Sequence, residues 1–123
     1  MKKIDKTLQV ITKLIRLTSE DKIKWNIADI PSFLTVGTDD IIARYYEASF
    51  EGKNFILYKI RYELYSEEFD RLYWNEKTVL ALVENKSVIW SNHQYTQALN
   101  DLFDYVQEKA SGLDDFLNDF LAD

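Results

Sequence analysis

The stretch Ile42–Tyr65, IARYYEASFEGKNFILYKIRYELY, decides how this chain is read. Tyr46, Ala48 and Phe50 alternate with Glu47 and Ser49. After Glu51-Gly52-Lys53-Asn54 the alternation resumes, with Ile56, Tyr58, Ile60, Tyr62 and Leu64 set against Lys59, Arg61 and Glu63. Period-two alternation on both sides of a Gly/Asn cluster is the pattern of a half-buried β-hairpin. Both apolar sets fall on even numbers, and directly opposed residues of a hairpin share a face. Even therefore pairs with even, which requires an odd loop. A three-residue loop Gly52-Lys53-Asn54, with Asn54 left-handed, meets this. A two-residue Gly52-Lys53 turn would set Tyr46 against Lys59. The even set is expected in the core. The off-face Tyr45, Phe55 and Tyr65, together with Arg61, are expected to form a contact surface.

Working outward, Phe69–Trp74 predicts a further strand, with Leu72 and Trp74 on one side and Arg71 and Tyr73 on the other. Thr78–Glu84 is a continuous apolar run, which predicts a strand covered on both faces. Asn85-Lys86 then makes a two-residue turn into a short strand, Ser87–Trp90. On the upstream side, Ile23–Ile27 alternates as a short strand, and Asp29–Asp40 is irregular, with Pro31 and Gly37 inside it. Phe33, Leu34 and Val36 sit in that irregular stretch, so it is either a functional loop or a packed excursion.

Helices flank this β region. Residues 3–18 carry Ile4, Leu8, Ile11, Ile15 and Thr18 at spacings of three and four, with Lys6, Lys13 and Arg16 on the polar side. Ser91-Asn92 is expected to cap a helix bearing Tyr95, Leu99, Leu102, Val106 and Ala110, with His93 in its first turn. Gly112 interrupts it. Ser111 and Asp114 then make a capping-box variant for a last amphipathic helix with Leu113, Phe116, Leu117, Phe120 and Leu121. Strands in succession with helices at both ends define an α+β class. The expected form is an N-terminal helix, a mainly antiparallel sheet of about 4–6 short strands, and C-terminal helices packed on one face. With 123 residues, no repeat and no linker-like segment, residues 1–123 are expected to be a single domain.

The charge is uneven. The net charge is −6, yet residues 1–24 carry seven Lys/Arg against three acids, while residues 91–123 carry only Lys109 against seven acids. A basic first segment in an acidic chain is expected to face its own acidic tail or a second subunit rather than nucleic acid, because DNA repels the remainder. Met1–Thr7 starts positive, but no apolar signal core follows and no window is long and apolar enough for a membrane span. No nucleic-acid partner, no membrane partner and a cytoplasmic location are expected.

The chemistry is sparse. There is no Cys and one His, His93, which excludes disulfides, thiolate catalysis and a zinc site built on Cys or several His. There is no Gly-rich phosphate loop and no nucleophile elbow. Asp39-Asp40, Glu67-Glu68 with Asp70, and Asp114-Asp115 with Asp119 match no calcium loop and suit solvated turns and helix starts. No catalytic residue, metal ligand or cofactor is expected. Ten of the chain's 18 aromatics lie between Tyr45 and Trp74, interleaved with Arg44, Arg61 and Arg71, the residue types enriched at interface hot spots.

The last helix is nine residues long, marginal by itself in water, so its apolar face must dock. The chain's own sheet is the expected seat, and a second subunit the alternative. The function expected is a non-enzymatic protein–protein interaction module: immunity-, chaperone- or regulator-like, self-associating in its simplest form as a homodimer. Its contact residues would be Tyr45, Phe55, Arg61, Tyr65, Phe116, Leu117, Phe120 and Leu121. The alternative is a small-ligand binder or enzyme using carboxylates and tyrosines in a cleft against the sheet. That alternative requires a deep pocket holding two carboxylates or an Arg–carboxylate pair.

The run Thr18–Trp25 (TSEDKIKW), the strand ending Val88-Ile89-Trp90, and the endings Ala98–Val106 (ALNDLFDYV) and Gly112–Leu121 (GLDDFLNDFL) resemble a type of small, largely uncharacterised bacterial protein. The resemblance implies a cytoplasmic bacterial protein and carries no functional residues over. In size and acidity the chain is also similar to bacterial immunity proteins and type III secretion chaperones.

Overall fold

The computed structural model describes residues 3–122, without the side chains of residues 3–5. Helix α1 (Lys3–Ser19) leads into β1 (Asn26–Ile27), a single 3-10 turn (Ser32–Leu34), and strands β2 (Ile41–Phe50), β3 (Lys53–Ser66), β4 (Arg71–Glu84) and β5 (Ser87–Asn92). Helices α2 (Gln97–Ser111) and α3 (Leu113–Leu121) follow. The strands form one antiparallel meander in the order β1-β2-β3-β4-β5. The α+β class and the antiparallel sheet agree with the sequence reading. The strands are not all short: β3 and β4 each run 14 residues. Phe69–Trp74 and Thr78–Glu84 do not stand as two strands. Asn75-Glu76-Lys77 continues in register against Tyr62-Arg61-Ile60, because the long partner strand supplies a ladder throughout.

The β2–β3 register overturns the odd-loop expectation. Phe50 pairs with Lys53, and Tyr46 pairs with Leu57. The connection is the two-residue turn Glu51-Gly52, with φ values of 52° and 80°. Positive φ at both central positions is the hairpin turn whose twist matches that of the strands. Even numbers on β2 therefore share a face with odd numbers on β3. The mixing is tolerated because both faces of the sheet are covered. On one face, Tyr46, Ala48, Leu57 and Leu80 pack with Ile11, Leu14 and Leu17 of α1, Ile23 and Trp25 after it, and Leu99, Leu102, Phe103 and Val106 of α2. On the other, Tyr45, Ile56, Tyr58, Ile60, Val79 and Ala81 pack with Ala28, Leu34, Ile42 and Val83. The stretch Asp29–Asp40 is thus a packed excursion that covers the second face through Leu34. A register shift between Ile42 and Arg44 lets Ile42 point to the same side as Tyr45.

The helices differ from expectation at their ends. The buried side of α1 is Ile11, Leu14, Leu17 and Thr18, and Leu8 is exposed; Ile4 lies outside the described residues. The Thr18 hydroxyl donates to the Leu14 carbonyl at 2.7 Å and accepts from the Trp25 indole N–H at 3.0 Å. Ser91 and Asn92 belong to β5, and the cap of α2 is Thr96, whose Oγ1 accepts from the Leu99 N–H at 3.1 Å. His93 and Tyr95 therefore precede the helix. Ser111 is the last residue of α2, and α3 starts from left-handed Gly112 without a side-chain cap. The Lys109 ammonium meets the Asp21 carboxylate at 3.0 Å, tying the end of α2 to the turn after α1. No helix among the described residues is long and apolar enough to cross a membrane.

Candidate interaction surfaces

Three uncovered apolar surfaces follow from this architecture. The first is the outer part of the β3–β4 hairpin. Strand β2 accompanies β3 only to Arg61, opposite Ile41, and β5 accompanies β4 only to Leu80. Tyr62–Ser66 and Arg71–Asn75 therefore pair with each other alone, a two-stranded ribbon about 16 Å long at the usual rise per residue. Opposed residues share a side, so Tyr65 with Leu72 and Glu63 with Trp74 line one side, and Leu64 with Tyr73 the other. Leu72, Tyr73, Trp74, Tyr65 and Phe69 are all largely exposed, Trp74 by 50%. At the tip the Tyr65 hydroxyl donates to the Asp70 carboxylate, and that bond holds the phenol's pKa above its usual range.

The second surface is α3. Leu113, Phe116, Leu117, Phe120 and Leu121 form one helical face at three- and four-residue spacing, and none is buried; Phe120 is 71% exposed. The Phe116 and Phe120 rings stack with centroids 6.2 Å apart. By the same periodicity Asp119 flanks this face beside Phe116, Asp114 flanks it beside Leu121, and Asp115 lies opposite. The expectation that this helix seats on the chain's own sheet is not met. Its contacts run mainly to α2, because left-handed Gly112 turns the chain away from the core.

The third surface is a groove on the helix-covered side of the sheet. Phe55, Leu82 and Trp90 stand opposite one another across β3, β4 and β5, forming one row in register. Thr7 and Val10 of α1 wall the row on one side, with Lys6 at the lip, around about 550 Å³ of open volume.

A polar cleft of about 480 Å³ lies beyond the start of α2, lined by Lys59, Tyr62, Glu76, Lys77, His93 and Tyr95 among others. Among the described residues Glu76 is the only carboxylate in its lining. That carboxylate is held by Arg61 at 3.4 Å and Lys59 at 3.9 Å, while Lys77 lies over the Tyr62 ring. The Arg61–Glu76 pair borders a shallow depression with Ile41 and Trp74, and both partners are solvent-exposed. Among the described residues no group of three or more His, Asp or Glu could hold a metal ion.

The residues singled out from sequence divide accordingly. Tyr45 is no contact residue: it is 5% exposed, inside the second cluster. Its hydroxyl donates to the Glu47 carboxylate at 2.7 Å. Burial first, and that bond second, push its pKa upward. The Tyr58 phenol beside it is raised by burial and then by Asp40. Phe55 is half-buried in the floor of the groove, Arg61 lies at the base of the ribbon and Tyr65 on it, and Phe116, Leu117, Phe120 and Leu121 lie on α3. The structure does not bring these three groups into one patch. Sequence reasoning missed Leu72 and Trp74 as exposed residues. The signal was Glu67-Glu68 ending the strand pattern so far from Glu51-Gly52: β3 outruns β2 by five residues, and those five have no second neighbour. Comparison with protein-family models, curated proteins and solved structures finds no match.

Proposed function

We propose that this chain works by binding another polypeptide rather than by catalysing a reaction, in the manner of an immunity, chaperone or regulatory protein of the bacterial cytoplasm. The observation that carries this reading is α3, a nine-residue helix with five large apolar side chains on one face and none of them buried. Such a helix is marginal in water alone, and a Phe or Leu side chain gains roughly 1.5–3 kcal/mol on full burial. A cover for that face is therefore strongly favoured. The β3–β4 ribbon supports the same reading, because exposed Trp, Tyr and Leu on a projecting hairpin are unusual unless contacted. The polar cleft favours catalysis less, since its lone carboxylate is committed to two cations. Photoreactive benzoylphenylalanine placed at Phe120 and at Trp74, with illumination of the cells that make the protein, tests the reading. Discrete adducts at either position and none at exposed Val36 are expected. Absence of adducts at both positions would remove the proposal.

A further inference from the structure

We propose that α3 of one copy seats in the α1–β5 groove of a second copy, and that the exchange is reciprocal. The inference rests on the partner-binding reading and names the partner. The two surfaces fit in shape and chemistry. The floor of the groove is the apolar row Phe55, Leu82 and Trp90, and its wall is Val10. Phe116 and Phe120 form a stacked ridge one turn apart, the i, i+4 anchor pattern of a helix lying in a groove.

Charge selects the second copy as occupant. The groove is bordered by Lys6, and Lys13 lies two turns further along the same side of α1. Outside its apolar face α3 carries Asp114, Asp115 and Asp119 and no cation. Among the described residues, none of Lys6, Lys13, Asp114, Asp115 and Asp119 sits in an ion pair. Placing α3 with its rings in the row sets the carboxylate of Asp119, which flanks Phe116 on the helix surface, toward these lysines and leaves both apolar surfaces covered. Because each copy offers one helix and one groove, a two-fold exchange closes and does not propagate into a filament.

The test uses the full chain. Size-exclusion chromatography with light scattering is expected to give a dimer whose dissociation constant rises with salt, and the Phe116→Asp, Phe120→Asp double variant is expected to be monomeric at the same concentration. Lys6→Glu and Asp119→Lys should each weaken the dimer by about two- to fivefold, and together they should restore it. Both positions are exposed, so folding is not at stake. Benzoylphenylalanine at Phe120 should cross-link to α1, β4 or β5 of a second copy. A monomer at every concentration, a dimer indifferent to the phenylalanine or charge changes, or a cross-link elsewhere would each overturn the inference. An adduct at Phe120 with a different protein would overturn the exchange while leaving the partner-binding reading standing; no adduct at any position would retire both.

Discussion

Tyr45 and Tyr46 are neighbours in the chain and are buried to the same extent, each 5% exposed, on opposite faces of the sheet. The Tyr46 ring meets Phe103 of α2 edge-on at 5.8 Å, and the Tyr45 ring tilts against Tyr58 at 6.1 Å under the covering segment. The pair marks the sheet as the middle layer of the protein. One face carries helices, and the other is closed by the chain between β1 and β2.

The phenols of Tyr45 and Tyr58 give this layer a defined alkaline limit. Both pKa values are raised in the folded state, chiefly by burial. The unfolded chain loses these protons near pH 10 while the folded chain keeps them. Their contribution is therefore complete below that pH and is lost as pH rises above it, by at most about 1.4 kcal/mol per pH unit for each phenol. Urea unfolding between pH 8 and 11 should show this decline. Tyr45→Phe should be shallower above pH 10, and less stable at pH 7 by about 1 kcal/mol through loss of the Glu47 bond.

Thr18 holds the helix-covered face through one hydroxyl. Thr18→Val keeps the shape but leaves the buried Trp25 indole N–H without its acceptor. A loss of about 1–3 kcal/mol is expected, whereas Thr18→Ser should lose much less. Denaturant midpoints of the two variants decide this.

The two tight turns respond oppositely to substitution. At Gly52, φ is +80° and no atom lies within 4 Å of a would-be Cβ, so Gly52→Ala suffers from backbone strain alone, by about 1 kcal/mol. At the β4–β5 turn, Asn85 and Lys86 both hold positive φ, 52° and 62°. Lys86→Gly should therefore raise stability by about 1 kcal/mol. A shift of the thermal midpoint in the same direction for both variants would contradict this account.

The ribbon is expected to open independently of the sheet. Its ladder joins only two strands, and few of its side chains are buried. Amides of Tyr62–Ser66 and Arg71–Asn75 should exchange with deuterium much faster than those of Ile56–Tyr58 and Leu80–Leu82, which lie between neighbours on both sides. Equal protection across β3 would show that another surface covers the ribbon.

The local patterns of the sequence determined the α+β class, the antiparallel hairpins, the helix periods and the poverty of catalytic groups, because these follow from spacing and residue type along the chain. They also held a clue to the two-sided sheet: Phe55-Ile56-Leu57-Tyr58 is continuously apolar, and a strand reads that way when both its faces are covered. The register of Tyr46 against Leu57, the burial of Tyr45 and the exposure of Trp74 were decided only in the tertiary structure. Which face a strand residue meets depends on what packs there: α2 for Tyr46, Leu34 and its neighbours for the cluster around Tyr45, and, among the described residues, no covering helix or segment for half-exposed Trp74, which lies where β3 and β4 outrun the strands beside them. The seat of α3 is of the same kind. Its amphipathic period is written in Leu113–Leu121, but the left-handed turn at Gly112 sets where that face points.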